Sequence, residues 1–360
     1  MNKVNEGPKI AIIGPYPPPY GGIAIHIQRL KKRLEEEGYK PIIYELGRQE
    51  QNNDGIVSPQ SVNRWLLSYF FFSKEDIIHF HNPDWRMRVV IGMMGLVGKK
   101  TVISIHGSSL HDSLKNGHWI KRQIIKLALK YTPFIIALNS EIKKLIISLG
   151  INPERVAVIP SFIPPILKEE DISKVPQEVW DFIDSHNPVI SANAFRISFY
   201  NNQDLYGIDM CIDLCANLKR DYPKIGFVFC LPDVGDYEYF SEMKQRIKES
   251  EIEENFFFQT KPCQFYPILM KSDLFVRPTN TDGYGISIAE AIYLKVPAIA
   301  SDVCSRAEGT IIFKSRDIDD FILKVKDVLD NYEEHKERLK GVILEDNAEK
   351  IIKIYQNLCK

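Results

Sequence analysis

The chain has no uninterrupted apolar run long enough to cross a bilayer, so a spanning helix is not expected. Its opening, MNKVNEGPKIAIIG, lacks the long apolar stretch of a secretory leader. No GxGxxG is present, which argues against a dinucleotide site. Cysteine is sparse: Cys211, Cys215, Cys230, Cys263, Cys304 and Cys359 all lie in the second half. None forms a CxxC pair, and no histidine accompanies them at zinc spacing. Buried thiols in a reducing compartment are the expected reading, although Cys211 and Cys215 are four apart in a predicted helix and could be neighbours. Apolar residues make up 44% of the chain and charged residues 26%, which excludes a disordered, collagen-like or coiled-coil chain.

What is there begins with charge. The 360 residues carry a net charge of −1, but the sum hides a division. Residues 1–168 hold 23 Lys and Arg against 13 Asp and Glu, a balance of +10. Residues 169–360 hold 23 against 34, a balance of −11. Such asymmetry suggests that the first half meets something anionic.

Apolar β-rich runs alternate with helical patterns. Lys9–Gly14 reads as a buried strand, and Gly22–Glu37 follows with apolar residues at Ile23, Ile27, Leu30 and Leu34. Further strands are expected at Pro41–Leu46, Asp76–His81, Thr101–His106, Pro133–Leu138 and Arg155–Ile159. The stretch Pro160–Pro188 holds five prolines and breaks the alternation. A second set follows at Pro188–Ala192, Ile225–Leu231, Asn255–Gln259, Asp273–Arg277, Pro297–Ser301 and Thr310–Phe313. Alternation of this kind predicts an α/β protein with two doubly wound parallel sheets. The expected division is 1–168, a linker at 169–187, 188–344, and a closing helix at 345–360 that packs on the first domain. Two such domains are expected to face each other across a cleft, with ligands at the carboxyl ends of the strands.

Three loops then draw attention. Gly14–Gly22 reads GPYPPPYGG before a helix, and Gly21 and Gly22 let the backbone approach a ligand near helix amides. His79, His81 and His106 end strands, but no carboxylate stands at ligand spacing, so no metal site is expected. In TNTDGYGISIAEA, Asp282 and Glu290 are eight apart, with Gly283 and Gly285 in a loop and Ile286 opening a helix. The amides of Tyr284, Gly285, Ile286 and Ser287 suit a diphosphate. A carboxylate one turn into that helix can accept two hydrogen bonds from a ribose diol, and one at the loop start can read hydroxyls of a sugar ring.

The Asp282–Glu290 segment resembles the acidic-x7-acidic signature of the retaining family-4 glycosyltransferases of GT-B fold (glycosyl transferases group 1), of the bacterial polysaccharide and cell-surface glycan type. Glu stands at both positions in that family; here the first is Asp282. The GG loop, the IHG strand end, the IPSFIPP stretch and the run Glu290–Ser301 match the family in order. The resemblance implies transfer of a sugar from a nucleotide diphosphate sugar with retention. It implies no metal, which agrees with the lack of a DxD in a suitable strand-end loop, and no protein general base, because the leaving phosphate takes the acceptor proton. By this resemblance Arg196 and the amides near Gly21, Gly22 and Gly285 stabilise the diphosphate, His106 contacts the donor sugar, Asp282 reads sugar hydroxyls and Glu290 holds the ribose. The family's Lys-Gly pair falls at Tyr206-Gly207, so one diphosphate-clamping cation is missing; Arg277, at a strand end, is the nearest substitute.

Between Asp112 and Glu141 there is no acidic residue. In a predicted helix over Trp119–Tyr131, Arg122, Lys126 and Lys130 share one face, and Ile120, Ile124, Leu127 and Tyr131 line another. A basic amphipathic helix suits an anionic membrane surface, and a polyprenyl-diphosphate-linked glycan would be a matching acceptor. The expected location is cytoplasmic, with a peripheral seat on the inner face of the membrane. A sequence pI near 6.7 and no interleaved aromatics argue against nucleic acid. Two alternatives keep the same fold: a nucleotide-sugar epimerase or hydrolase, for which His79, His81, His106 and Asp112 are the candidate acid and base, and a non-catalytic partner subunit.

Overall fold

A computed structural model describes residues 7–18, 20–46, 55–107 and 109–360. Pro19 of the proline-rich loop and Ser108 after His106 lie outside them. The chain divides into two compact units. The first gathers Met1–Pro17, Ile23–Ile163 and Asp346–Lys360; the second gathers Pro18–Gly22 and Pro164–Glu345.

In the first unit, β1 (Ile10–Ile13), β2 (Ile42–Tyr44), β3 (Ile56–Val57), β4 (Ile77–His81), β5 (Thr101–Ile105), β6 (Phe134–Ala137) and β7 (Val156–Val158) form one parallel sheet in the order β3-β2-β1-β4-β5-β6-β7. The helices between them are α1 (Gly22–Glu36), α2 (Val62–Phe72), α3 (Trp85–Leu96), α4 (Ser109–Lys115), α5 (Trp119–Tyr131) and α6 (Ser140–Ser148). Every residue of β1, β4 and β5 is buried, which is why these strands read as continuous apolar runs rather than alternating ones. The strand order reverses between β1 and β4, so this switch point is where loops part and a ligand finds room. Gly14, just past β1, has no space for a side chain: a Cβ there would lie 2.7 Å from Ile27 Cδ1.

The second unit opens with α7 (Glu169–Ser173) and α8 (Gln177–Ser185). Residues 169–187, expected as a linker, are thus folded, and Val179 and Ile183 of α8 are buried in a core with Val189 and Val228. The unit's strands are β8 (Val189–Asn193), β9 (Phe199–Tyr200), β10 (Gln203–Asp204), β11 (Gly226–Cys230), β12 (Phe256–Gln259), β13 (Leu274–Arg277), β14 (Ala298–Ser301) and β15 (Ile311–Phe313). Six of them form a parallel sheet, β12-β11-β8-β13-β14-β15, with its switch point between β8 and β13. The helices are α9 (Ile208–Leu218), α10 (Tyr237–Glu249), α11 (Tyr266–Leu269), α12 (Ile286–Tyr293), α13 (Ile318–Asp330) and α14 (Tyr332–Lys340). Cys211 and Cys215 are both buried on α9, within one core cluster, as free thiols.

Strands β9 and β10 form an antiparallel hairpin that the sequence pattern does not announce. Its turn residues Asn201 and Asn202 take φ of +50° and +59°, the left-handed pair a two-residue hairpin turn needs. The hairpin delivers Asp204 to the start of α9, where its carboxylate accepts from Tyr206 N at 2.9 Å and Ile208 N at 2.6 Å.

The last helix, α15 (Asn347–Cys359), returns to the first unit. Ala348, Ile351, Ile352 and Tyr355 are buried there with Ile10, Ile12 and Leu30. The Tyr355 hydroxyl reaches His79 Nδ1, and Asn347 Nδ2 donates to Phe162 O at 3.0 Å.

Candidate functional site

The switch point of the second sheet carries two strand-end polar residues, Asn193 on β8 and Arg277 on β13. Their side chains meet, with Arg277 Nη1 3.4 Å from Asn193 Oδ1. Ser287, in the first turn of α12, donates to the same Asn193 oxygen at 2.9 Å and stands 3.4 Å from Arg277 Nη1. The helix is aimed here by Gly285, its N-cap, at φ +80°. A side chain at that position would be strained, and its Cβ would lie 2.7 Å from Ile288 Cδ1 and 2.9 Å from Arg306 Nη1. The first turn of α12 holds no acidic residue, but the Asp282 carboxylate stands at its N-terminus, with Oδ2 3.3 Å from where a Gly285 Cβ would lie.

Asp282 sits between two guanidiniums. Its Oδ2 accepts from Arg277 Nε at 2.6 Å and from Arg306 Nη1 at 2.8 Å, while Oδ1 accepts from Gly283 N at 2.9 Å. Burial raises the pKa of this carboxyl, but the two arginines outweigh burial and hold it well below the usual carboxylate range. The triad is therefore ionised and carries one more positive charge than negative. Asp282, the residue expected to read sugar hydroxyls, anchors two cations through Oδ2, and Oδ1 accepts one backbone bond.

Arg306 was not among the residues expected from sequence. It follows β14 by five positions, and its side chain is only 2% exposed. Besides Asp282 it donates to Ser301 O at 3.1 Å, Thr279 Oγ1 at 3.2 Å and Tyr284 O at 3.4 Å. A basic residue in the loop after a doubly wound strand is the one signal that could have found it. Asn193 was also missed, although a polar residue closing an apolar strand (VISAN) marks such an end.

The other expected residues fall as follows. Arg196 points to Asp233, with Nε 3.6 Å from Oδ2, and its side chain is 53% exposed. Among the described residues, no hydrogen bond or ion pair joins it to the Arg277 group. Glu290 is buried one turn into α12. Burial pushes the Tyr284 hydroxyl up to about 12, so it stays protonated. Gly22 opens α1, whose first turn holds no acid. Near the Arg277 group, a shallow opening is lined by Asn193, Ala194, Cys230, Pro232, Gln259 and Lys261, at the ends of β8, β11 and β12.

In the first unit His81, ending β4, and His106, just past β5, are joined by a 3.1 Å hydrogen bond between His81 Nδ1 and His106 Nε2. The His26 ring of α1 lies tilted to His81 at 5.2 Å and edge-on to His106 at 5.6 Å, and its Nδ1 is 2.7 Å from Ser161 O. Burial depresses all three imidazoles, His26 to about 4, so they are neutral at pH 7. His79 is likewise lowered by burial. Ring nitrogens of His26, His81 and His106 lie within 4.8 Å of one another, close enough for a metal to be considered. The donor set is three imidazoles with no carboxylate, and two of its nitrogens already bond each other. Asp112, the candidate acid for epimerase chemistry, is 3.6 Å from His111.

Two family models match this chain: Glycosyltransferase Family 4 over residues 20–165 and Glycosyl transferases group 1 over residues 194–341. No curated protein sequence matches it. Among solved structures, Anabaena HepE in complex with UDP is similar, with 15% identity and a TM-score of 0.70 over 97% of this chain and 98% of that one. A glycosyltransferase from Rickettsia africae has 15% identity and a TM-score of 0.71 over 98% and 99%. Sucrose-phosphate synthase from Thermosynechococcus elongatus has 12% identity and a TM-score of 0.68 over 98% and 99%. With both halves matched and two parallel sheets of this topology, the chain belongs to the group 1 glycosyltransferases of GT-B fold.

Proposed function

We propose that this glycosyltransferase moves a hexosyl group from a nucleotide diphosphate sugar, with retention and without a metal, to a glycan or polyprenyl-diphosphate-linked acceptor. The observation that supports it most is the Arg277–Asp282–Arg306 triad. A buried cluster with an excess positive charge, at the N-terminus of α12 and beside the Ser287 hydroxyl, suits a diphosphate. Fixed cations and amides stabilise a leaving diphosphate as its charge grows, which is the task a metal would otherwise perform. In this reading Arg277 replaces the missing lysine, and Asp282 sets Arg277 in place. Glu290 holds the ribose, and the opening bounded by Gln259 and Lys261 takes the base. Outside this cluster the proposal enlists Arg196, His106 and the amides that follow Gly21-Gly22.

HepE has been solved with UDP and with UDP-glucose, which makes a uridine diphosphate sugar the first donor to try. Bacterial cell-envelope or capsule synthesis, at the cytoplasmic face of the membrane, is the proposed setting. The acceptor is assigned to the cationic first half, with α5 toward an anionic membrane surface.

The experiment is a transfer and hydrolysis assay with a panel of nucleotide sugars, with and without EDTA. The proposal expects one donor to raise the thermal midpoint, to turn over equally in EDTA, and to give a product of unchanged anomeric configuration. Loss of activity in EDTA, an inverted product, or epimerisation at the sugar would each overturn it. Donor binding with no turnover across acceptors would favour the non-catalytic subunit.

A further inference from the structure

Helix α5 has two apolar faces. Ile125, Ala128 and Leu129 are buried in the fold, which accounts for one. Trp119, Ile120, Ile124, Leu127 and Tyr131 form the other and are exposed, Trp119 by 64% and Leu127 by 55%. A surface helix of this kind ordinarily turns one apolar stripe inward and leaves the rest polar.

The neighbouring helices repeat the pattern. Met93, Leu96 and Val97 are exposed on one side of the C-terminal half of α3, and Leu67, Phe71 and Phe72 on α2, Phe72 by 75%. Helices α3 and α5 run side by side in the same direction. Lys121 Nζ lies 5.4 Å from the Trp85 ring centroid, a Cβ on Gly92 would meet Ala128 O at 2.6 Å, and one on Gly95 would meet Tyr131 O at 2.0 Å. Backbone contact at two glycines, one turn apart, joins the two helices into a single plate. Scattered exposed apolar side chains need no explanation; eleven large ones gathered on three helices of one unit do.

Cations fringe this face. Lys115, Lys121, Arg122, Lys126 and Lys130 come from α4 and α5, Lys74 follows α2, and Lys99 follows α3. Several of these charges rest on neutral partners: Lys99 Nζ donates to Ser73 O, and Arg122 donates to the carbonyls of Gly117 and Lys115. Such bonds fix the side chains and leave the charge uncompensated.

We propose that α2, α3 and α5 form one membrane-docking face, and that its occupant is the interface of a bilayer containing anionic lipid. Apolar side chains entering the acyl boundary, aromatics at headgroup depth and lysines against lipid phosphate are the three parts of an interfacial seat. A second copy of the chain fits poorly. A two-fold contact sets a face against itself and would bring Lys126 and Lys130 toward their own counterparts. The inference deepens the acceptor side of the proposed function and rests on it for purpose; the docking itself is read without any turnover.

The test uses the full chain and vesicles of phosphatidylcholine, alone or mixed with phosphatidylglycerol. Wild type sediments with the mixed vesicles, and raised salt releases it. The double variant Leu96→Glu, Leu127→Glu loses at least about tenfold in partitioning, and Lys126→Glu, Lys130→Glu loses it on mixed vesicles only. Leu323→Glu, at an exposed leucine of the second unit, binds as wild type. All are compared at equal thermal midpoints, since each change is at an exposed side chain. Failure of wild type to bind mixed vesicles, or unchanged binding by Leu96→Glu, Leu127→Glu, overturns the proposal. So does concentration-dependent dimerisation that this double variant abolishes. Vesicle binding without sugar transfer would sink the enzymatic reading and leave the docking face standing; transfer to a soluble acceptor without vesicle binding would do the reverse.

Discussion

The guanidinium carbon of Arg277 lies 5.7 Å from the centroid of the Tyr206 ring. In the proposed reading Tyr206 stands where the family resemblance implies a lysine, and Arg277 beside it supplies the cation. The aromatic face and the Asp282 carboxylate together hold Arg277 in place. Replacing Arg277 with Gln should lower kcat by about 10²–10³, the usual loss when one charge-stabilising donor is removed. Adding Tyr206→Lys to that variant should recover part of the loss. Steady-state kinetics with the nucleotide sugar that the donor panel selects measures both, and an Arg277→Gln enzyme of normal kcat would remove Arg277 from the diphosphate.

Asp282→Asn asks a different question. It leaves Arg277 and Arg306 buried without their shared counter-charge. Breaking such a buried group from one side costs about 3–5 kcal/mol, so the second unit should unfold at distinctly lower urea. A variant as stable as wild type would show that the triad does not depend on this carboxylate. Asp282 is also depressed in pKa, so its contribution is complete above the unfolded carboxyl range and is lost only as the solution becomes strongly acidic.

Much of this fold is legible from period and punctuation. Isoleucine- and valine-bearing runs such as Ile10–Ile13 and Thr101–Ile105 are buried on both faces, and parallel strands carry that signal without alternation. The β9–β10 hairpin is not legible, because its strands have two residues each and the sequence shows only two asparagines in a polar stretch. The Asp282–Glu290 loop could be found by spacing alone. What Asp282 does could not, since its partner Arg306 is remote in sequence and only the fold of β14 brings it near. The exposed stripe of α5 had the same limit. Periodicity shows one basic and one apolar face, and only packing shows that the core takes Ile125, Ala128 and Leu129 and leaves that apolar face exposed.

The buried histidines predict a pH response in the first unit. His26, His79, His81 and His106 are all lowered below their ordinary value by burial, His26 to about 4. In the unfolded chain they protonate near 6.5, so below that pH the unfolded state binds more protons. Stability is therefore complete above about pH 6.5 and is lost as pH falls toward the folded values. Each histidine contributes a slope of up to about 1.4 kcal/mol per pH unit. Urea midpoints from pH 8 to pH 5 should decline, and His26→Gln should decline less steeply. A flat profile in wild type would contradict neutral burial of these rings.

Gly95→Ala gives a prediction whose sign is informative. Inside an ordinary helix this change is favourable by roughly 1 kcal/mol, because alanine restricts the unfolded chain and propagates a helix better. At Gly95 the new Cβ would lie 2.0 Å from Tyr131 O and 2.8 Å from Pro133 Cδ, and backbone and proline ring have little freedom to retreat. Helix α3 must then move away from α5, opening contacts around Ile91, Met94, Ile125 and Leu129, which are buried together in one cluster. Overpacking of this sort costs about 1–3 kcal/mol and should exceed the propensity gain. The first unit of Gly95→Ala should therefore unfold at lower urea than wild type, and vesicle binding should weaken with it, since the docking face depends on the two helices keeping their spacing. Gly98→Ala, at φ +84° but with open space around it, separates the two causes. It should lower stability through backbone strain alone and leave vesicle binding unchanged at temperatures where both variants are folded.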